Sequence, residues 1–116
     1  MIFTKQNSRT QLTIANINEN IVISDYSRVY NIGNNFLYLC VKGLANTEIV
    51  NQRLFTVALN RSILVTGSTM AIGIGTEWNM ESIGYAFMSK DNSGIYVTAR
   101  VPSDKWFHIN ILLPLA

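Results

Sequence analysis

The chain has 116 residues, 48% of them apolar and only 14% charged, with nine Lys+Arg against seven Asp+Glu for a formal net charge of +2. That length predicts one domain burying roughly 65% of its unfolded surface without metal or disulfide support, and the low charge excludes a disordered chain. The positive charge is spread thin, five cations against three anions over residues 1–58 and four against four over 59–116, which argues against nucleic acid as a partner.

Residues 1–11 are polar and lack alternation, so they read as a leader or linker ahead of a single domain over 12–116. The start, Met1-Ile2-Phe3-Thr4-Lys5-Gln6-Asn7, has neither the basic region nor the apolar stretch of a secretory signal, which places synthesis in a cytosol. From there period-two alternation recurs and no i, i+3, i+4, i+7 stripe persists, so the chain is predicted to be all-β. The expected strands are Leu12 to Ile17, Ile21 to Asp25, Arg28 to Ile32, Phe36 to Lys42, Arg53 to Ala58, Ser62 to Thr66, Met70 to Gly75, Ile83 to Ser89, Gly94 to Val101 and Trp106 to Leu113. Gly33-Asn34-Asn35 and Asp91-Asn92-Ser93-Gly94 carry residues that tolerate positive φ and read as hairpin turns. Pro102-Ser103-Asp104 reads as a loop, because proline cannot donate to a ladder. About ten short strands predict an antiparallel β-sandwich or a jelly-roll-like barrel.

Successive side chains on a strand face opposite ways. Phe107, Ile109, Ile111 and Leu113 therefore form one face of the last strand, the expected core, and Trp106, His108, Asn110 and Leu112 the other. Ile95, Val97, Ala99 and Val101 form the inner set of the strand before it, with Tyr96, Thr98 and Arg100 outside. Phe36 to Val41 is apolar on both faces, as expected of a central strand or of one covered by another subunit. Opposite Ile72 and Ile74 stand only Ala71, Gly73 and Gly75, which also lack polar side chains. Together these strands predict a homo-oligomer, with the chain's own loops as the alternative cover.

Chemistry is bounded by what is scarce. One His and one Cys exclude zinc sites built from several such ligands, and no metal or cofactor is expected. Lone Cys40 sits in an apolar strand pattern and reads as a small buried hydrophobe. The longest apolar runs fall far short of the roughly 20 residues of a membrane helix, so no membrane insertion is expected. Gly73-Ile74-Gly75 completes neither a dinucleotide fingerprint nor a P-loop, and its glycines read as relief of strand crowding. A serine hydrolase would need His108 as base, yet there is no nucleophile elbow, and Glu77, Glu81, Asp91 and Asp104 form no glycosidase motif. No enzymatic activity is expected.

Saccharide binding is the chemistry these residue types favour, because aromatic faces stack on sugar C–H surfaces while Asn, Asp, Arg and His bond hydroxyls. Trp78 lies in a polar stretch, Thr76 to Glu81, where an indole is expected to be partly exposed. Trp106, His108 and Asn110 share one outward face and Tyr96 and Arg100 another, so the five converge if the last two strands are neighbours. The alternative is that Trp106 covers a sheet edge and His108 is an ordinary strand residue.

Ser27-Arg28-Val29-Tyr30-Asn31-Ile32-Gly33-Asn34-Asn35-Phe36-Leu37-Tyr38-Leu39 is an arginine-bearing strand, a Gly-Asn turn and an apolar strand. Asn51 to Ala58 adds an apolar-Thr-apolar strand, and Met88 to Val97 a hairpin with Asp91 and Gly94 at its turn. In order and spacing over about residues 24–116 these elements resemble the C-terminal head domain of siphophage tail-tip and baseplate receptor-binding proteins, from phages of Gram-positive hosts. The resemblance implies a virion protein, homotrimeric, that meets other phage tail proteins and adheres to host cell-wall saccharide. By residue type alone the ligand-binding candidates are Trp78, Asp91, Tyr96, Arg100, Trp106 and His108. The alternative is a small structural or accessory phage protein that reuses the head fold without binding a ligand.

Overall fold

The pleat sorts side chains as the alternation predicts. In the structure, a computed structural model that describes residues 8–61 and 69–116, Ile95, Val97, Ala99 and Val101 are buried and Arg100 is exposed. Among the described residues ten strands form and no helix does: β1 (Arg9–Gln11), β2 (Ile14–Ala15), β3 (Ile21–Ile23), β4 (Arg28–Ile32), β5 (Phe36–Ala45), β6 (Ile49–Val57), β7 (Thr69–Gly75), β8 (Met80–Asp91), β9 (Gly94–Val101) and β10 (Trp106–Pro114). All are joined antiparallel in one sheet, ordered β1-β4-β5-β10-β7-β8-β9-β6-β2, with β3 pairing to β5 alongside this path. The expected strand Ser62 to Thr66 lies outside the described residues.

The sheet curls into a half-barrel around its apolar side. Phe55 of β6 stacks on Phe107 of β10, centroids 6.4 Å apart and planes 16° from parallel, although several strands separate them along the path. The two ends of the path are bridged by one short segment. The Leu12 N–H donates to the Val29 carbonyl of β4, while the Ala58 N–H, just past β6, donates to the Thr13 carbonyl. Two expectations change here. Arg9–Gln11, assigned to a polar leader, form an edge strand whose side chains are all exposed, which is why alternation gave no apolar signal. Leu12 to Ile17 is not one strand but a crossing, with only Ile14–Ala15 paired and Asn16 at φ 48°.

β4 and β9 match their expected limits, and both hairpin turns form where positive-φ residues stand, with Gly33 at φ 56° and Asn34 at φ 63°. β5 runs three residues past Lys42, because Gly43 does not break the strand. A Cβ there would lie 2.7 Å from Phe107 Cε2, so the missing side chain is the seat of the Phe107 ring. The doubly apolar Phe36 to Val41 is a central strand between β4 and β10, its outer side only partly covered.

The bare side of β7 is covered by the chain itself at Gly73 and Gly75, while Ala71 stays exposed. A Cβ at Gly73 would lie 2.6 Å from Met80 Cγ, and one at Gly75 would collide with the Asn79 carbonyl oxygen and come within 2.8 Å of the Glu81 nitrogen. These two positions let the β7–β8 turn fold flat over the sheet. A methionine end can swing aside, whereas backbone cannot. Gly75→Ala is therefore expected to destabilise by about 1–3 kcal/mol and Gly73→Ala by less, as read from urea denaturation midpoints.

Candidate functional site

β10 pairs with β5 along its whole length, from Trp106↔Leu44 to Pro114↔Phe36, but with β7 only from Trp106↔Gly75 to His108↔Gly73. Beyond His108 the two strands part, and an open groove of about 480 Å³ lies over the outer face. Gly73, Met80, His108 and Asn110 line it from the sheet, Tyr26 from the adjoining β3–β4 turn, and Lys42 is its one charged lining residue among those described. The register explains the convergence: His108 lies opposite Lys42, and Asn110 opposite Cys40, so all four share the outer face.

An aromatic pair stands at the mouth. Trp78, on the β7–β8 turn, is 69% exposed and Tyr26, on the β3–β4 turn, 72%, with ring centroids 6.1 Å apart and planes inclined at 57°. The turn that carries Trp78 is pinned from below. Lys42 Nζ lies 3.3 Å from the indole centroid and donates to the Glu77 carbonyl at 3.1 Å. The His108 ring nitrogen Nε2 meets the Thr76 carbonyl at 2.7 Å, which fixes it as the donor. Within the turn the Asn79 N–H donates to Thr76 Oγ1 and the Thr76 N–H to the Asn79 carbonyl. The result is a wide indole face held out to solvent over a cation and beside a phenol, on a turn that His108 ties to β10.

Of the six residues singled out by type, only Trp78 and His108 belong to this groove and its mouth. Trp106 shares the outward face two positions before His108 and is half-buried. The other three lie elsewhere, because β9 sits between β8 and β6 and does not adjoin β10. The five side chains that converge if the last two strands are neighbours therefore do not converge. The loop after β9 carries the chain to β5 instead, with the Asp104 N–H donating to the Ala45 carbonyl and the Ala45 N–H to the Lys105 carbonyl. Tyr26, Lys42 and Cys40 were not singled out as binding residues. Lys42 had a signal, a lone charge on the outer face of an otherwise apolar strand; Tyr26 had none.

Asp91 and Tyr96 form a second cluster. Arg53 reaches from β6 across β9, its guanidinium 3.6 Å from the Tyr96 ring centroid, and pairs with Asp91 on β8 at 2.7 Å. Arg100 pairs with Glu48 at 3.3 Å, both largely solvated. The Ser93 hydroxyl and N–H, followed by Arg53, bond the Asp91 carboxylate and hold its pKa down to about 2 against an ordinary 3.8. A carboxylate depressed in the fold stabilises it fully above its unfolded pKa and ceases to as pH falls through the folded one. The β8–β9 turn is therefore expected to loosen between about pH 4 and pH 2. Ser93→Ala should bring the Asp91 carboxyl titration, followed by carbon NMR, back toward its ordinary value. On β5, partial burial and then the neighbouring Cys40 thiol raise the Tyr38 phenol above its ordinary pKa, partly offset by a bond with Asn110.

Among the described residues no three His, Cys, Asp or Glu side chains gather to hold a metal ion. Comparison with protein-family models, curated proteins and solved structures finds no match.

Proposed function

We propose that this chain is a saccharide-binding adhesion module that works on the tail or baseplate of a bacterial virus, with host cell-wall saccharide as its ligand. The observation that carries the binding reading is the exposed Trp78 face, fixed by Lys42 and flanked by Tyr26 at the mouth of the groove. A sugar ring stacks its C–H face on the indole side away from Lys42, and the Tyr26 hydroxyl at the mouth and the Asn110 amide in the groove offer donors and acceptors to its hydroxyls. A rigid platform loses little entropy on binding, which suits weak single-site contacts multiplied over many copies. The virion setting rests on the resemblance of the hairpins, under which the half-barrel serves as a jelly-roll-like head.

A second reading, a structural or accessory virion protein without a ligand, is favoured by the exposed apolar side chains of β8. Retention of the chain on purified Gram-positive cell wall, and its competition by soluble saccharide released from that wall, separates the two. The adhesion module is retained and competed off. A chain that ignores both wall and fragments contradicts it.

A further inference from the structure

The groove beside Trp78 opens where the sheet splits, and register decides which backbone groups the split leaves bare. The Ala45 N–H donates to the Lys105 carbonyl, while the Lys42 carbonyl accepts from the Ser24 N–H on the other side of β5. Residues on a strand turn their backbone groups to alternate neighbours, so Ile109 faces β5 whereas His108 and Asn110 face β7. His108 meets Gly73 in that way, and the next exchange along the two strands would be Asn110 with Ala71. It is not made. Among the described residues the ladder stops at His108↔Gly73, and Ala71 and Asn110 both line the groove. Ile72 and Ile109, buried in the core, line it as well, so the split is a slot with amide edges and a hydrocarbon floor.

We infer that this slot takes the acetamido group of an N-acetylated sugar, next to the sugar stacked on Trp78, an assignment that rests on the saccharide reading above and narrows its ligand. A secondary amide is the group the sheet lacks at this point. Its N–H donates to a backbone carbonyl on one edge and its carbonyl accepts from an N–H on the other, as a strand would. Its methyl lies on Ile72 and Ile109, out of water. Because β7 and β10 diverge from there, one small group reaches both edges only at the first missing exchange, which suits a single amide rather than a strand of them. Met80, folded over Gly73, closes the slot at its paired end.

Charge argues the same way. Lys42 is the only charged residue lining the groove among those described, and no carboxylate lines it. The free amine of a deacetylated sugar meets a like charge there and finds no counter-ion, whereas a neutral amide is not repelled.

Retention of the full chain on purified Gram-positive cell wall, on the same wall after chemical N-deacetylation, and on that wall re-acetylated with acetic anhydride tests the assignment. Deacetylation is expected to weaken retention by roughly tenfold or more, in high salt that screens the new amines as well as in low. Re-acetylation restores it. Soluble wall saccharide re-acetylated with isotope-labelled anhydride supplies a local reading, with nuclear Overhauser contacts expected from the labelled methyl to the Ile72 and Ile109 side chains. Retention indifferent to acetylation overturns the inference and leaves the saccharide reading standing. So does a deficit that re-acetylation fails to repair, or a labelled methyl that contacts only residues outside the slot. Loss of retention when an amidase strips the wall peptides, with acetyl groups intact, gives the slot to a peptide and overturns it equally. A chain not retained on untreated wall contradicts the saccharide reading and this assignment together.

Discussion

Phe107→Ala is expected to lower the melting temperature by roughly 10–20 °C. Phe107 is fully buried, its ring seated over Gly43 on one neighbouring strand and stacked on Phe55 from the far arm of the curl. Truncation removes the apolar contacts of a whole ring and leaves a cavity that Gly43, with no side chain, cannot fill. Such changes cost about 3–5 kcal/mol, against a total stability near 5–15 kcal/mol for a domain of this size. Ile111→Ala, on the same face of β10 but only half-buried, is expected to cost less. Equal losses at both positions, by calorimetry, would mean that the stacked pair does not hold the curl.

Trp78→Ala is expected to weaken saccharide retention by roughly tenfold or more, equivalent to about 1.4 kcal/mol, while the melting temperature barely moves. The indole is mostly exposed, so its removal takes little from the core, and exposed substitutions usually stay within about 0.5 kcal/mol. Lys42 would lose its partner ring but keep the Glu77 carbonyl, leaving the turn in place. Tyr96→Ala is the control. It removes a ring of similar kind from the Arg53–Asp91 cluster, on the far side of β7 and β8 from the groove, and binding is expected to persist. If Tyr96→Ala abolished retention and Trp78→Ala did not, the site would belong at the second cluster.

Local signals carried much of the architecture. The limits of β4 and β9, the Gly33–Asn35 and Asp91–Gly94 turns and the inward set of β9 follow from alternation and from residues that accept positive φ, both properties of short windows. Strand neighbours are not. β9 and β10 are consecutive in sequence but separated in the sheet, and the bonds that decide this join Ala45 to Asp104 and Lys105, some sixty residues along the chain. The groove was illegible for the same reason. Trp78 and His108 were chosen by residue type, but their association depends on a β5–β10 register that brings Lys42 opposite His108. Gly43 shows the converse, a residue that reads as a stop when alone and as a seat for Phe107 once the facing strand is known.

The saccharide chemistry proposed above resides at the Trp78 groove. Amide and indole NMR shifts followed while soluble cell-wall saccharide is titrated into the chain test it most directly. Shifts concentrated at the Trp78 indole N–H and at the amides of Tyr26, Lys42, Gly73 and His108 are the predicted result. An unchanged spectrum at saturating saccharide, or shifts gathered around Arg53, Asp91 and Tyr96, would contradict it.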